Sequence, residues 1–176
     1  MSIEDEIDDK VRRGMLFPLL PQAAGAPVRR ALFVEEWLWK ELNSPEGDEE
    51  WDRRIAKVRA DLEIFVTEET ITPKYLFLLF KAIEGVWEIR CVRDDPSIRV
   101  LGLFPLEDVF VSTNFARRDA LGGWNSRAWR DVKVMARVIW RKLFLTYRPV
   151  ITTNVKEVCS GATDEIFYKE RRKVGT

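Results

Sequence analysis

Residues 85–104 read GVWEIRCVRDDPSIRVLGLF. Apolar and polar residues alternate on either side of DDPS, the pattern of two half-buried strands joined by a turn. Two arginines, Arg90 and Arg99, stand inside those strands. With DDPS as a four-residue loop, Arg93 pairs with Ile98. Trp87, Ile89 and Cys91 then share a face with Ile98 and Val100, while Glu88, Arg90 and Val92 share the other with Arg99, Leu101 and Leu103. In this register Arg90 and Arg99 are diagonal neighbours on one face. Like charges that close repel unless an anion lies between them. Glu88 supplies one carboxylate, and a bound phosphate would supply more. A solvent-facing strand pair with an Arg–Glu surface bridge is the simpler reading of the same spacing.

Outward from the hairpin, strands are expected at about 86–93, 97–103 and 108–114, with turns at DDPS and PLED. Upstream, VRRALFVEEWLWKELNS (28–44) reads as a short strand from Val28 to Leu32 running into a helix over about 34–43. Ser44–Pro45 has the form of a helix start. The helix it opens carries Trp51, Ile55, Val58, Leu62 and Phe65 as one apolar stripe. Downstream, NFARRDALGGWN (114–125) reads as a loop, and Ser126 caps a final helix with Trp129, Val132, Ala136, Ile139 and Leu143 on one side. Residues 1–27 read as an irregular acidic arm, 28–143 as the folded domain, and 144–176 as a C-terminal extension. In that extension YRPVITTNV allows one more strand and KERRKVGT forms a charged tail. The expected fold is α+β: a small antiparallel sheet with two N-terminal helices and a closing C-terminal helix, its other face open to a ligand.

Composition narrows the functions available. The chain of 176 residues is 46% hydrophobic, enough for a sizeable core, and seven tryptophans imply dense packing or a stacking surface. The zero net charge hides an asymmetry: residues 1–85 hold 12 Lys+Arg against 18 Asp+Glu, and residues 86–176 hold 17 against 11. A basic second half suits a polyanionic partner. The absence of histidine excludes His-based catalysis, and two cysteines make neither a disulfide framework nor a metal spacing. No metal or other cofactor is therefore expected. MLFPLLPQAAGAPV (15–28) is uncharged and ends in small residues, but the acidic MSIEDEIDDK before it opposes a signal-peptide reading. No run reaches the ~20 apolar residues of a membrane span, so a cytoplasmic protein is expected.

Positive charge gathers after the third strand of the hairpin region. Arg117 and Arg118 precede Gly122–Gly123 and Trp124, and Arg127 and Arg130 fall in the first turn of the final helix, where the macrodipole disfavours cations. Lys81 lies just ahead of the hairpin. Arginines beside a glycine loop and an aromatic suit single-stranded nucleic acid, by backbone neutralisation and base stacking. The competing reading makes Trp124 a core anchor and the arginines a solvated rim.

The ordered motifs FVEEWL (33–38), GVWEIR (85–90), SIRVLGLF (97–104), VFVSTNF (109–115) and ARR (116–118), ahead of a closing helix, resemble the RelE/HigB superfamily of type II toxin–antitoxin toxins. The phage-derived HigB-like subgroup is the part of that superfamily they resemble, over residues 28–143. The resemblance implies a ribosome-dependent messenger-RNA endonuclease that uses no metal, in which the RNA 2′-OH attacks the adjacent phosphate. It implies catalytic roles for Arg90, Arg99, Arg117 and Arg118, and RNA-binding roles for Lys81, Trp124, Arg127 and Arg130. It also implies a helix-turn-helix antitoxin and the ribosome with its message as partners. The chain departs from the family pattern where arginine replaces the lysines of the basic pair and Trp124 falls near the usual tyrosine. Asp119, Glu88 and Lys81 are the nearby proton-transfer candidates. A ParE-like protein acting on gyrase, or a non-catalytic phage or plasmid protein binding nucleic acid or a host factor, are the alternatives. The acidic arm is further expected to lie across the basic face as an internal inhibitor.

Overall fold

The computed structural model describes residues 1–43, 48–93 and 95–170. Helices α1 (Ile3–Arg12), α2 (Glu36–Asn43), α3 (Glu49–Thr67), α4 (Arg118–Leu121) and α5 (Arg127–Leu143) accompany strands β1 (Leu16–Pro18), β2 (Ala31–Glu35), β3 (Leu76–Leu78), β4 (Trp87–Cys91), β5 (Ile98–Leu106) and β6 (Val109–Arg117). The strands form one six-stranded sheet in the order β1-β2-β6-β5-β4-β3. All neighbours are antiparallel except β2 and β6, which run parallel. The fold is α+β, as the periodicities require, but the sheet is mixed and larger than a meander.

One face of the sheet buries Leu32, Val34, Trp87, Ile89, Val100 and Phe110 against Ile55, Val58, Leu62 and Phe65 of α3. Its centre is aromatic: Phe104 lies 6.0 Å from Phe65, 5.6 Å edge-on from Trp87 and 5.1 Å from Phe110, ring centre to ring centre. The predicted α3 stripe is thus the packing stripe. The helix is capped by Asp48, whose side chain accepts from the Trp51 N–H at 2.8 Å. The Ser44–Pro45 start lies outside the described residues.

The other face is not open. Leu101, Leu103 and Val111 are buried there beneath Trp129, Ala136, Trp140 and Leu143 of α5. Burying a leucine side chain is worth roughly 1.5–3 kcal/mol, so two leucines on the supposedly open face demanded a cover. Ser126 caps α5 as expected, accepting from the Trp129 N–H at 3.1 Å.

Both flanks are structured. The arm expected to be irregular forms α1, with a Ser2/Asp5 capping box, and β1, which pairs with β2. In the C-terminal extension the expected strand over YRPVITTNV is absent. Residues 155–157 make a 3-10 turn, and Val155, Val158, Cys159 and Phe167 enter the α3-side core. Only Lys169 and Glu170 of the KERRKVGT tail lie among the described residues. Arg30 fixes this segment: buried at the start of β2, its guanidinium donates to the carbonyls of Phe65 (2.8 Å), Ser160 (2.7 Å) and Glu68. Gly161 sits at φ 77°, where an added Cβ would collide with the Glu69 carbonyl.

Gly161→Ala is expected to cost roughly 1–3 kcal/mol, read as a lower urea midpoint. Gly123→Ala, at a site with no atom within 4 Å of the added Cβ, is expected to leave that midpoint within about 0.5 kcal/mol of wild type. Equal midpoints for the two variants would contradict the close packing of the C-terminal segment.

Candidate nucleic-acid interface

The hairpin register differs from the four-residue-loop expectation by two residues. Arg90 pairs with Arg99 and Cys91 with Ile98, so six residues connect the strands. Arg93 does not reach Ile98 because α3 captures it: its backbone N–H and Nε donate to the Asp61 carboxylate at 3.2 and 2.6 Å. A shift of two leaves every side chain on its predicted face. It moves Arg90 and Arg99 from diagonal to directly opposite positions, which increases their repulsion.

Glu88 resolves that repulsion. Its carboxylate is fully buried on the α5 side of β4, with Oε1 accepting from Arg90 Nε at 2.7 Å and Oε2 at 3.3 Å from Arg99 Nε. The second contact is ionic and too poorly aligned to count as a hydrogen bond. Arg90 also donates to the Pro73 carbonyl at 3.2 Å and lies 4.6 Å above the Phe77 ring. Arg99 donates to Ser97 Oγ at 2.9 Å. Both side chains are partly exposed, at 22% and 12%, although Nε of Arg99 is buried.

Arg118, at the start of α4, completes the cluster. It lies close enough to act electrostatically on both Glu88 and Arg99. Its Nη1 donates to the Gly122 carbonyl at 2.9 Å, and its guanidinium sits 5.6 and 5.9 Å from the rings of Trp124 and Trp129. Those two indoles stack at 5.1 Å and 15°, and Trp124 remains 46% exposed. Burial pushes the Glu88 carboxyl above its usual range, against the pull of Arg90, Arg99 and Arg118. Burial likewise lowers Arg99, with Arg90 and Arg118 adding to the effect and Glu88 opposing it. Three guanidiniums about one carboxylate leave positive charge in excess, and an oxyanion at the exposed side would relieve it.

The remaining predicted residues divide. Arg117 is opposite Ile98, on the α3 side of the sheet, and forms a two-point bridge to Asp119 at 3.2 and 2.8 Å. The basic pair is therefore split across the sheet, and Asp119 is held by Arg117. Lys81 is exposed beyond the start of β4, at the opposite end from Arg90. Arg127 and Arg130 are exposed in the first turn of α5, with Arg127 3.6 Å from Asp131. The acidic arm does not cross the cluster: α1 packs beside β1, at the far edge of the sheet, and pairs Glu6 and Asp9 with Lys10, Arg12 and Arg13. Phe77 and Trp129 touch the cluster although no sequence motif assigned them to it. The even spacing of Phe77 from Leu79 was the available signal, in a strand too short to stand out.

No protein-family model, curated protein or solved structure matches the chain. No helix among the described residues is long and apolar enough to cross a membrane.

A buried carboxyl raised by desolvation favours the folded state most when protonated, so its contribution is lost as pH rises through its folded value. The stability of the wild type relative to Glu88→Gln is therefore expected to grow as pH falls from about 8 to about 5, measured by urea unfolding at each pH. A wild-type advantage that shrinks on acidification would mean that the arginines, not burial, dominate the carboxyl.

Proposed function

We propose that this chain is an RNA-directed toxin of the RelE/HigB kind, whose Arg90, Arg99 and Arg118 form a clamp for an RNA phosphate. The observation that supports it is the opposed arginine pair held by a buried carboxylate, with Arg118 and the exposed Trp124 beside it. In the reaction, the 2′-oxygen bonds to the adjacent phosphorus and the 5′-oxygen leaves, giving a cyclic 2′,3′-phosphate and a 5′-hydroxyl. The guanidiniums stabilise the charge that builds on the phosphorane oxygens. Trp124 stacks on a base, and Arg127 and Arg130 extend the electrostatic track. A helix-turn-helix antitoxin and a cytoplasmic, ribosome-bound message belong to the same proposal.

Arginine does not transfer protons, since its pKa exceeds about 12. Glu88 is buried and held by the clamp, and Asp119 is held by Arg117. Removal of the 2′-proton and protonation of the leaving oxygen then fall to groups outside this chain, consistent with a requirement for the ribosome. The same observation favours a second reading, in which the cluster binds RNA without cutting it.

Removing a charge-assisted contact costs about 1.5–3 kcal/mol, so Arg118→Ala is expected to weaken single-stranded RNA binding by roughly 10- to 100-fold. It should also flatten the slope of log K against log salt by about 0.7 for one lost phosphate contact. Induced expression of wild type is expected to arrest growth and create new message 5′ ends, both relieved by Arg118→Ala and Arg90→Ala. RNA binding without new ends assigns the second reading. Unchanged affinity and salt slope in folded Arg118→Ala would remove the clamp altogether.

A further inference from the structure

The C-terminal half of α5 carries a surface that phosphate binding does not use. Arg137, Trp140 and Arg141, at i, i+3 and i+4 of α5, and Phe144 at its C-terminal cap line a groove of about 680 Å³. The turn at Ala82–Glu84 and the segment 145–151 form its other walls. Leu103, Trp140 and Phe144 make a buried apolar floor. The rim is apolar too but turned outward: Leu145 is 90% exposed, Ile83 73%, and Ile151 is exposed beside them.

The charge lining this apolar strip is mainly positive, with Arg137, Arg141 and Arg148 against Glu84. The single carboxylate in the groove, Glu84, is already bound by Lys133 at 3.2 Å and lies 3.9 Å from Arg137. Arg141 and Arg148 are exposed and make no ion pair among the described residues. A small molecule in the groove would leave the protruding Leu145 and Ile83 in water, whereas a chain laid along it covers both. An anionic polymer alone would satisfy the arginines and leave the apolar rim bare. A partner that satisfies both is apolar on one side and acidic along its flanks.

We propose that this groove docks an amphipathic, acidic helical segment of another protein, with its apolar side on Trp140, Phe144 and Leu145 and its carboxylates on Arg141 and Arg148. The site lies at the other end of α5 from Trp129, the helix residue beside Arg118: Trp129 and Arg141 are about 18 Å apart along the helix at 1.5 Å per residue. The docking therefore does not depend on the RNA reading.

The test is selection of a displayed library of helical peptides on the full-length chain, followed by fluorescence-anisotropy titration of the enriched peptides. Enriched sequences are expected to carry apolar residues at i, i+3 and i+4 flanked by Asp or Glu. Their affinity is expected to fall at least tenfold for Arg141→Glu and for Leu145→Ser, while thermal melting and RNA binding stay at wild-type values because both side chains are exposed and remote from the clamp. Failure to enrich any peptide overturns the proposal, as does enrichment of sequences without acidic residues or affinity unmoved by both substitutions. Loss of binding to phosphatidylserine vesicles in the same variants, with no peptide enriched, would instead assign the groove to a lipid surface and equally overturn it.

Discussion

The central strand β5 is buried along nearly its whole length, with only Arg99 and Leu106 partly accessible. A strand apolar on both faces cannot stay in a sheet with one side in water, because each exposed leucine forfeits roughly 1.5–3 kcal/mol. Helix α3 must cover one face and α5 the other. That constraint turns a hairpin meander into the middle of a three-layer stack, with Arg54 and Asp61 of α3 reaching Pro96 and Arg93 at the hairpin-loop end. Arg90, Arg99 and Arg118 gather at that end.

Placing cations there required a buried anion. Two arginines directly opposite on adjacent strands repel, and a fully buried Glu88 between them offsets that repulsion while incurring its own desolvation cost. The arrangement makes the cluster rigid: Arg90 is fixed by Glu88, Pro73 and Phe77, and Arg99 by Glu88 and Ser97. Guanidiniums held this way would lose little side-chain freedom on meeting the phosphate of the proposed clamp. Glu88 positions the arginines and has no access to a ligand itself.

The flanks serve the same stack. Without β1 the parallel strand β2 would present an unpaired edge, and Arg30 ties β2, the end of α3 and the C-terminal segment through three backbone carbonyls. A compact domain at 28–143 with loose ends would leave both the β2 edge and the α3-side core incomplete. Residues 145–151 of the C-terminal extension also form one wall of the groove beside α5.

Local pattern was enough for the elements with strong periodicity: α3 from its apolar stripe, α5 from Ser126 and its stripe, and the β4–β5 hairpin with both arginines on one face. It determined the α+β class and, through Glu88, Arg90 and Arg99 on a shared face, most of the arginine cluster. Tertiary structure alone decided the rest. The hairpin register turned on Arg93 being drawn 32 residues back to Asp61, a contact that no local spacing encodes. Strands β1 and β3, of three residues each, are strands only because β2 and β4 lie beside them. The split of Arg117 from Arg118 reflects where β6 ends and α4 begins, since one residue of difference reverses the side of the sheet that a side chain faces. Sequence carries the period of a side-chain pattern; the partner that each face meets is fixed only when the chain closes on itself.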